Sequence, residues 1–226
     1  MSNFIETLKE TFENAKLFDN DNDNGDAIIP INFDVKNDSK IILVAGMNAS
    51  GKSVISKMVE MLASDAKVEK RSCSMRNRTS GMFGQRMIFG DESDSSTGQN
   101  SVNSVILGFK STVESKGAVL ILDEPDIGLS DEYSSALGEY IAKQVNEHNE
   151  NIGLVFVVSH SKCLFNNILE ALDVPCSTVY VGNANVSFDE WLSSPTKKAT
   201  IEDLLNLKTK SRETWKRIEI FINKKD

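Results

Sequence analysis

An apolar run, Ile41-Ile42-Leu43-Val44-Ala45, leads straight into Gly46-Met47-Asn48-Ala49-Ser50-Gly51-Lys52-Ser53, and an amphipathic pattern follows over residues 54–62. A strand, a glycine-bracketed turn and a helix in that order leave the chain few options. The strand must lie inside a sheet, with the helix packed back against it. The octet has the form G-x-x-x-x-G-K-[ST]. Its glycines let the backbone turn so that several N–H groups converge at a helix N-terminus, where the dipole favours an anion. With this spacing Lys52 reaches β- and γ-phosphates, and the Ser53 hydroxyl takes one Mg²⁺ position. The pattern predicts a nucleoside triphosphate site.

The rest of the chain reads as an α/β protein. Its 226 residues suit one large domain with a substantial core. A formal net charge of −8 argues against a protein that coats nucleic acid through an overall basic surface. The three cysteines, Cys73, Cys163 and Cys176, have no metal-ligand spacing and read as reduced thiols. No apolar run is long enough to span a membrane, and the N-terminus lacks a signal-peptide layout, so a cytoplasmic protein without membrane association is expected.

Residues 4–18 carry Phe4, Ile5, Leu8, Phe12, Ala15 and Leu17 near helical spacing. The Asp/Asn/Gly run at 19–26 invites comparison with a calcium loop. If Gly25 is the sixth position, however, the twelfth is Ile31, where a bidentate Glu is needed. A turn or linker is the reading adopted. Strands are expected at 28–35, 41–45, 118–122 and 153–158, and helices at 54–62, 100–114 and 134–146. Residues 67–90 look irregular. This alternation predicts a mostly parallel sheet with flanking helices and an antiparallel N-terminal strand pair. The expected organisation is an N-terminal helix and acidic linker (1–26), a domain built around the triphosphate site (27–190) and a basic helical segment (191–226). The last begins at Thr200-Ile201-Glu202-Asp203, a capping box with Asp in place of Glu, and Leu204, Leu205, Leu207, Trp215, Ile218 and Phe221 supply its expected buried stripe.

Later motifs narrow the chemistry. Val119-Leu120-Ile121-Leu122-Asp123-Glu124-Pro125 is an apolar strand ending in two acids. Asp123 is placed to hold Mg²⁺, and Glu124 to polarise an attacking water. Ser95-Ser96-Thr97-Gly98-Gln99 sits directly before a helix, as a second anion site or as an ordinary cap. Val155-Phe156-Val157-Val158-Ser159-His160 puts one of only two histidines at the carboxyl edge of the sheet, where ligands of open α/β sheets bind.

In this order the motifs resemble those of ATP-binding cassette (ABC) ATPases over residues 41–160. Residues 46–53 match the Walker A loop, Ser96 to Gln99 the end of the LSGGQ signature, Asp123 and Glu124 the Walker B aspartate and catalytic glutamate, and His160 the switch histidine. The resemblance implies ATP and Mg²⁺ as ligands. Gly46, Asn48, Ala49, Ser50, Gly51, Lys52, Ser53 and Val54 would contact the nucleotide from one subunit, and Ser96, Thr97, Gly98 and Gln99 from the other. Ser53, Gln85 (as the Q-loop glutamine) and Asp123 would serve the metal, and Glu124 and His160 catalysis. Ala49 and Thr97 replace family glycines, Ser95 a leucine and Ser130 the D-loop aspartate, so slow turnover is expected.

The resemblance further implies an ATP-sandwiched homodimer. Only about ten residues, 86–95, separate Gln85 from Ser96. That is too short for a transporter's helical subdomain or an SMC-type coiled-coil arm. The chain resembles an arm-less head of the RecF, SMC and MutS type. Three functional readings follow: an ATPase in DNA repair, recombination or phage–host nucleic-acid conflict; an ATP-gated module that recruits or restrains an effector such as a nuclease; and a kinase using the same loop, against which Glu124 and the signature argue. Basic clusters at Lys67, Lys70, Arg71, Arg76, Arg78 and Arg86 and along the C-terminal helix are candidate contacts to DNA or a partner.

Overall fold

A computed structural model of the chain describes residues 2–15, 17–18, 27–74, 96–196 and 198–223. The expected linker at 19–26 and Gln85 lie outside the described residues.

The first helix, α1 (Ser2–Asn14), precedes two strands, β1 (Ile31–Asp34) and β2 (Ile41–Gly46). Then follow α2 (Lys52–Asp65), β3 (Lys70–Ser74), α3 (Thr97–Ser115), β4 (Val119–Asp123) and α4 (Asp131–Glu147). The chain continues through β5 (Leu154–Ser159), α5 (Lys162–Ala171), β6 (Cys176–Val181), α6 (Phe188–Ser193) and α7 (Ile201–Asn223). The six strands form one sheet in the order β1-β6-β2-β5-β4-β3. All neighbours are parallel except β1 and β6, which run antiparallel with Ile31 opposite Val181.

Period-2 geometry explains why the central strands are continuous apolar runs. Successive side chains leave opposite faces, and both faces are covered by helices. In β2, Ile42 and Val44 join one core cluster while Ile41, Leu43 and Ala45 join the other. Strand β5 divides the same way, with Phe156 and Val158 on the first side and Val155 and Val157 on the second. The first layer is filled by Leu8 and Phe12 of α1, Ile55 and Val59 of α2, and Ile218 of α7. The second holds Phe109 of α3, Ile141 of α4 and Phe165 of α5. Each such side chain, fully buried, contributes roughly 1.5–3 kcal/mol. Truncating Phe156, which is 0% exposed, to alanine should cost about 3–5 kcal/mol.

The antiparallel pair differs from the sequence-based expectation. The N-terminal strand β1 pairs with the late strand β6, and β2 is flanked in parallel by β5 and β6. β2 is buried along its whole length, so it takes a central place, while the half-exposed β1 closes the edge. The chain leaves β2 through α2 to the far edge at β3 and returns strand by strand to β6. The order therefore reverses beside β2, and the crevice outside the carboxyl ends of such strands is where open α/β sheets bind ligands. Register brings those ends level, with Ala45 beside Ser159 and Asp123 beside Val158.

Candidate functional site

The turn from β2 to α2 is shaped by two glycines. A Cβ on Gly46 would lie 2.6 Å from the Val181 carbonyl oxygen and 2.7 Å from Ser50 Oγ. Gly51 has φ +106°, a region that side chains disfavour, and a Cβ there would press on Ile29. Ala49 also lies in the left-handed region, at φ 63°, where a Cβ costs about 1–2 kcal/mol. Gly51 is the N-cap of α2 and provides no side-chain cap. The first turn of α2 thus keeps its dipole and its outward N–H groups without a side-chain acceptor.

Lys52 is only 7% exposed. Its Nζ donates to the Gly46 carbonyl at 2.7 Å and the Met47 carbonyl at 2.9 Å. Burial strips water from the ammonium and draws its pKa below the ordinary lysine range, against the opposing pull of Glu124 and Asp123. Ser50 Oγ is buried without a hydrogen-bond partner among the described residues. An orphaned hydroxyl, an uncapped helix start and a desolvated cation together suit a bound anion.

The 48–54 stretch, Asp123 and Glu124 line one cleft of about 240 Å³. Glu124 follows β4 with φ 54°, and its N–H donates to the Val158 carbonyl at 2.8 Å. This sparsely populated backbone conformation is held by the sheet. His160, one residue beyond β5, brings Nδ1 to 3.7 Å from Glu124 Oε1. The adjacent Glu124 carboxylate raises the histidine pKa above its ordinary value, outweighing partial burial. A buried lysine, two acids and a histidine thus converge from three adjacent strands. They can hold a polyanion and move a proton next to it.

Ser96, Thr97, Gly98 and Gln99 do not line this cleft. Ser96 caps α3 in a reciprocal capping box: its hydroxyl accepts from the Gln99 N–H, and the Gln99 side chain accepts from the Ser96 N–H. Gly98 packs on Gly128, so that a Cβ at Gly98 would lie 2.6 Å from the Gly128 carbonyl oxygen. Ser101 Oγ also donates to the Ile127 carbonyl at 3.0 Å. The α3 start and the loop after Glu124 therefore form one packed unit.

Two sets of residues at or beside the site had not been read as functional. Asp126 accepts a hydrogen bond from the buried Ser159 at 2.9 Å, and Ser159 Oγ in turn accepts from the Ser161 N–H at 3.0 Å. Asp126 thus ties the loop after Glu124 to the turn that carries His160. Its position two residues beyond Glu124 was the available signal. The second set is Lys57 together with Ser211, Thr214, Trp215 and Ile218 of α7, which close the other side of the cleft. Nothing local in the sequence marks those α7 residues.

The α7 start forms as expected, with Thr200 and Asp203 exchanging hydrogen bonds. Its expected buried stripe does not. Ile218 is 4% exposed, but Leu204 is 64%, Leu205 74% and Trp215 53% exposed; the Phe221 side chain lies outside the described residues. Leu207 is half-buried, but only the stretch around Ile218 reaches the core, so Leu204 and Leu205 stand in solvent. In the basic cluster, Arg71 bonds Glu69, Ser111 and Ser115, and Lys70 bonds the Glu60 carbonyl and Ser64. Arg76, Arg78 and Arg86 lie outside the described residues. Cys73, Cys163 and Cys176 form no disulfide with one another, and Cys73 Sγ donates to the Ser104 carbonyl at 3.3 Å. Among the described residues no helix is long and apolar enough to cross a membrane. Comparison of the chain with protein-family models and with curated proteins returned no match.

Proposed function

We propose that the chain is a Mg²⁺-dependent ATPase of the ABC type. The observation that carries this reading is the single cleft in which an uncapped helix start and buried Lys52 face Asp123 and Glu124. In this reading Lys52 leaves the Gly46 and Met47 carbonyls for phosphate oxygens, trading two neutral acceptors for a charged one. Ser53 and Asp123 are the protein oxygens for Mg²⁺, which when bound neutralises phosphate charge. Glu124 accepts the proton of the attacking water, and His160 orients its carboxylate. Because Ser96–Gln99 lie off the cleft, a second copy would supply them across an ATP-closed dimer.

Calorimetry with Mg·ATP and phosphate-release assays test the site. Wild type should bind and hydrolyse, Lys52→Ala should bind about 100-fold more weakly, and Glu124→Gln should bind without turnover. Mass measurement of Glu124→Gln with ATP tests closure; a persistent monomer refutes the dimer.

For the biological role, an ATP-gated module acting on an effector protein fits better than direct DNA binding through the 67–71 cluster. Lys70 and Arg71 are engaged within the chain, and Ile201, Leu204 and Leu205 stand exposed on α7. ATPase stimulation by DNA, with steep salt dependence of binding, would reverse that preference.

A further inference from the structure

We infer that α7 supplies the base-binding half of the cleft, with Trp215 stacking on the purine ring of the bound nucleotide; the inference rests on the triphosphate reading of the 46–54 stretch.

Ser211, Thr214, Trp215 and Ile218 fall at helical spacings of three and four, so one face of α7 forms the second wall of the cleft. From Ser211 to Ile218 that wall is about 10 Å long. It is anchored at one end. Ile218 enters the cluster that contains Ile55 and Val59, and Arg217 Nη2 donates to the Ala27 carbonyl at 3.2 Å. This anchorage places Trp215, one turn earlier, at the cleft edge. There it remains 53% exposed, a large aromatic surface that the core does not use.

The two ends of the cleft differ in chemistry. Asp123, Glu124 and Lys52 make one end ionic, and the uncapped start of α2 directs phosphates there. The remainder of the ligand leaves along α2 past Ser53, Val54 and Lys57, residues on one helical face. Lys57 Nζ sits 5.7 Å from the Trp215 ring centroid, joining the phosphate track to the aromatic wall by a cation–π contact. A ligand with phosphates at one end and a flat ring at the other matches both. Ser211 and Thr214 line the same wall, on the side this inference assigns to the ribose; Thr214 Oγ1 donates to the Lys210 carbonyl at 3.0 Å and can still accept. Stacking accepts any base with a large π-face, so ATP and GTP should bind with similar affinity and CTP more weakly.

The test uses tryptophan fluorescence and calorimetry. The chain has two tryptophans, and Trp191 belongs to an aromatic cluster with Phe165 and Phe188 apart from the cleft. A Trp191→Phe protein therefore reports Trp215 alone. ATP should quench it and inorganic tripolyphosphate should not. Trp215→Ala should lose about tenfold in ATP affinity and keep tripolyphosphate affinity within about twofold, which also verifies its fold; Trp215→Phe should restore most of the loss. Unchanged ATP affinity in Trp215→Ala refutes the stacking and leaves the phosphate site standing. An equal loss of both ligands also refutes it, by making Trp215 a structural residue. If wild type binds neither ATP nor tripolyphosphate, the triphosphate reading itself falls.

Discussion

Helices α2 and α3 both begin among glycine and hydroxyl residues, and they are finished in opposite ways. At α2 the N-cap is Gly51, no side chain closes the first turn, and Lys52 lies buried over the preceding loop. At α3 the Ser96 hydroxyl and the Gln99 amide close the first turn reciprocally, and Gly98 is pressed against Gly128. An open helix start keeps its first-turn donors for something outside the chain, whereas the capping box commits the Ser96 and Gln99 N–H groups within it. Similar residue types therefore have different uses, and the difference lies in whether a side chain stands at the cap.

The most forceful way to break this comparison is Lys52→Ala. Losing a charge-assisted contact to phosphate should lower ATP affinity about 100-fold, or about 2.7 kcal/mol. Equal affinity by calorimetry would remove the distinction between the two helix starts. Gly98→Ala attacks the packed side of α3. With a Cβ 2.6 Å from the Gly128 carbonyl, backbone must move, and urea denaturation should show a loss of about 2 kcal/mol. Ser96→Ala removes the cap and should cost about 1 kcal/mol in the same assay. Were it neutral, the capping box would carry little of the α3 start.

Smaller effects sharpen the picture at α2 and its neighbours. Ala49→Gly relieves a left-handed residue at φ 63° but adds unfolded-state entropy, leaving a net gain of about 0.5 kcal/mol, read as a slightly higher Tm. The least effect is expected at His160, whose side chain is 53% exposed. Glu124 raises its pKa above the ordinary 6.5, so the folded state binds the proton more tightly. The resulting stability is complete below about pH 6.5 and is lost as pH rises through the folded-state pKa. His160→Gln should therefore lower Tm at about pH 5.5 and leave it unchanged at about pH 9; the opposite trend would contradict the pairing.

Elements with strong periodicity could be read directly. Strands β2, β4 and β5 are buried on both faces and appear as unbroken apolar runs, and α2 to α4 lie close to their expected spans. Strand β3 could not be read, because Lys70-Arg71-Ser72-Cys73-Ser74 has no apolar run and is defined by its pairing with β4. The partner of β1 was misassigned for a related reason: proximity in sequence suggested β2, but the long-range ladder to β6 prevailed. For α7, periodicity marked a stripe that the fold leaves largely in solvent, since only the stretch around Ile218 meets the core. In the site, Gly46, Lys52, Asp123, Glu124 and His160 were readable as short motifs at strand ends. Asp126 and Trp215 were not, because their places depend on the bond to Ser159 and on the anchoring of α7 at Ile218.

The sequence by itself determined the β2–loop–α2 unit, the acidic end of β4 and the histidine beyond β5. Local backbone geometry dictates those features: glycine where φ is positive or a Cβ would collide, and apolar runs where both sheet faces are covered. Tertiary structure alone decided that these strand ends stand level in one sheet, that the α3 start lies off the cleft, and that α7 closes it. Such placements follow from strand register and from the burial of single anchors such as Ile218, which no short segment encodes.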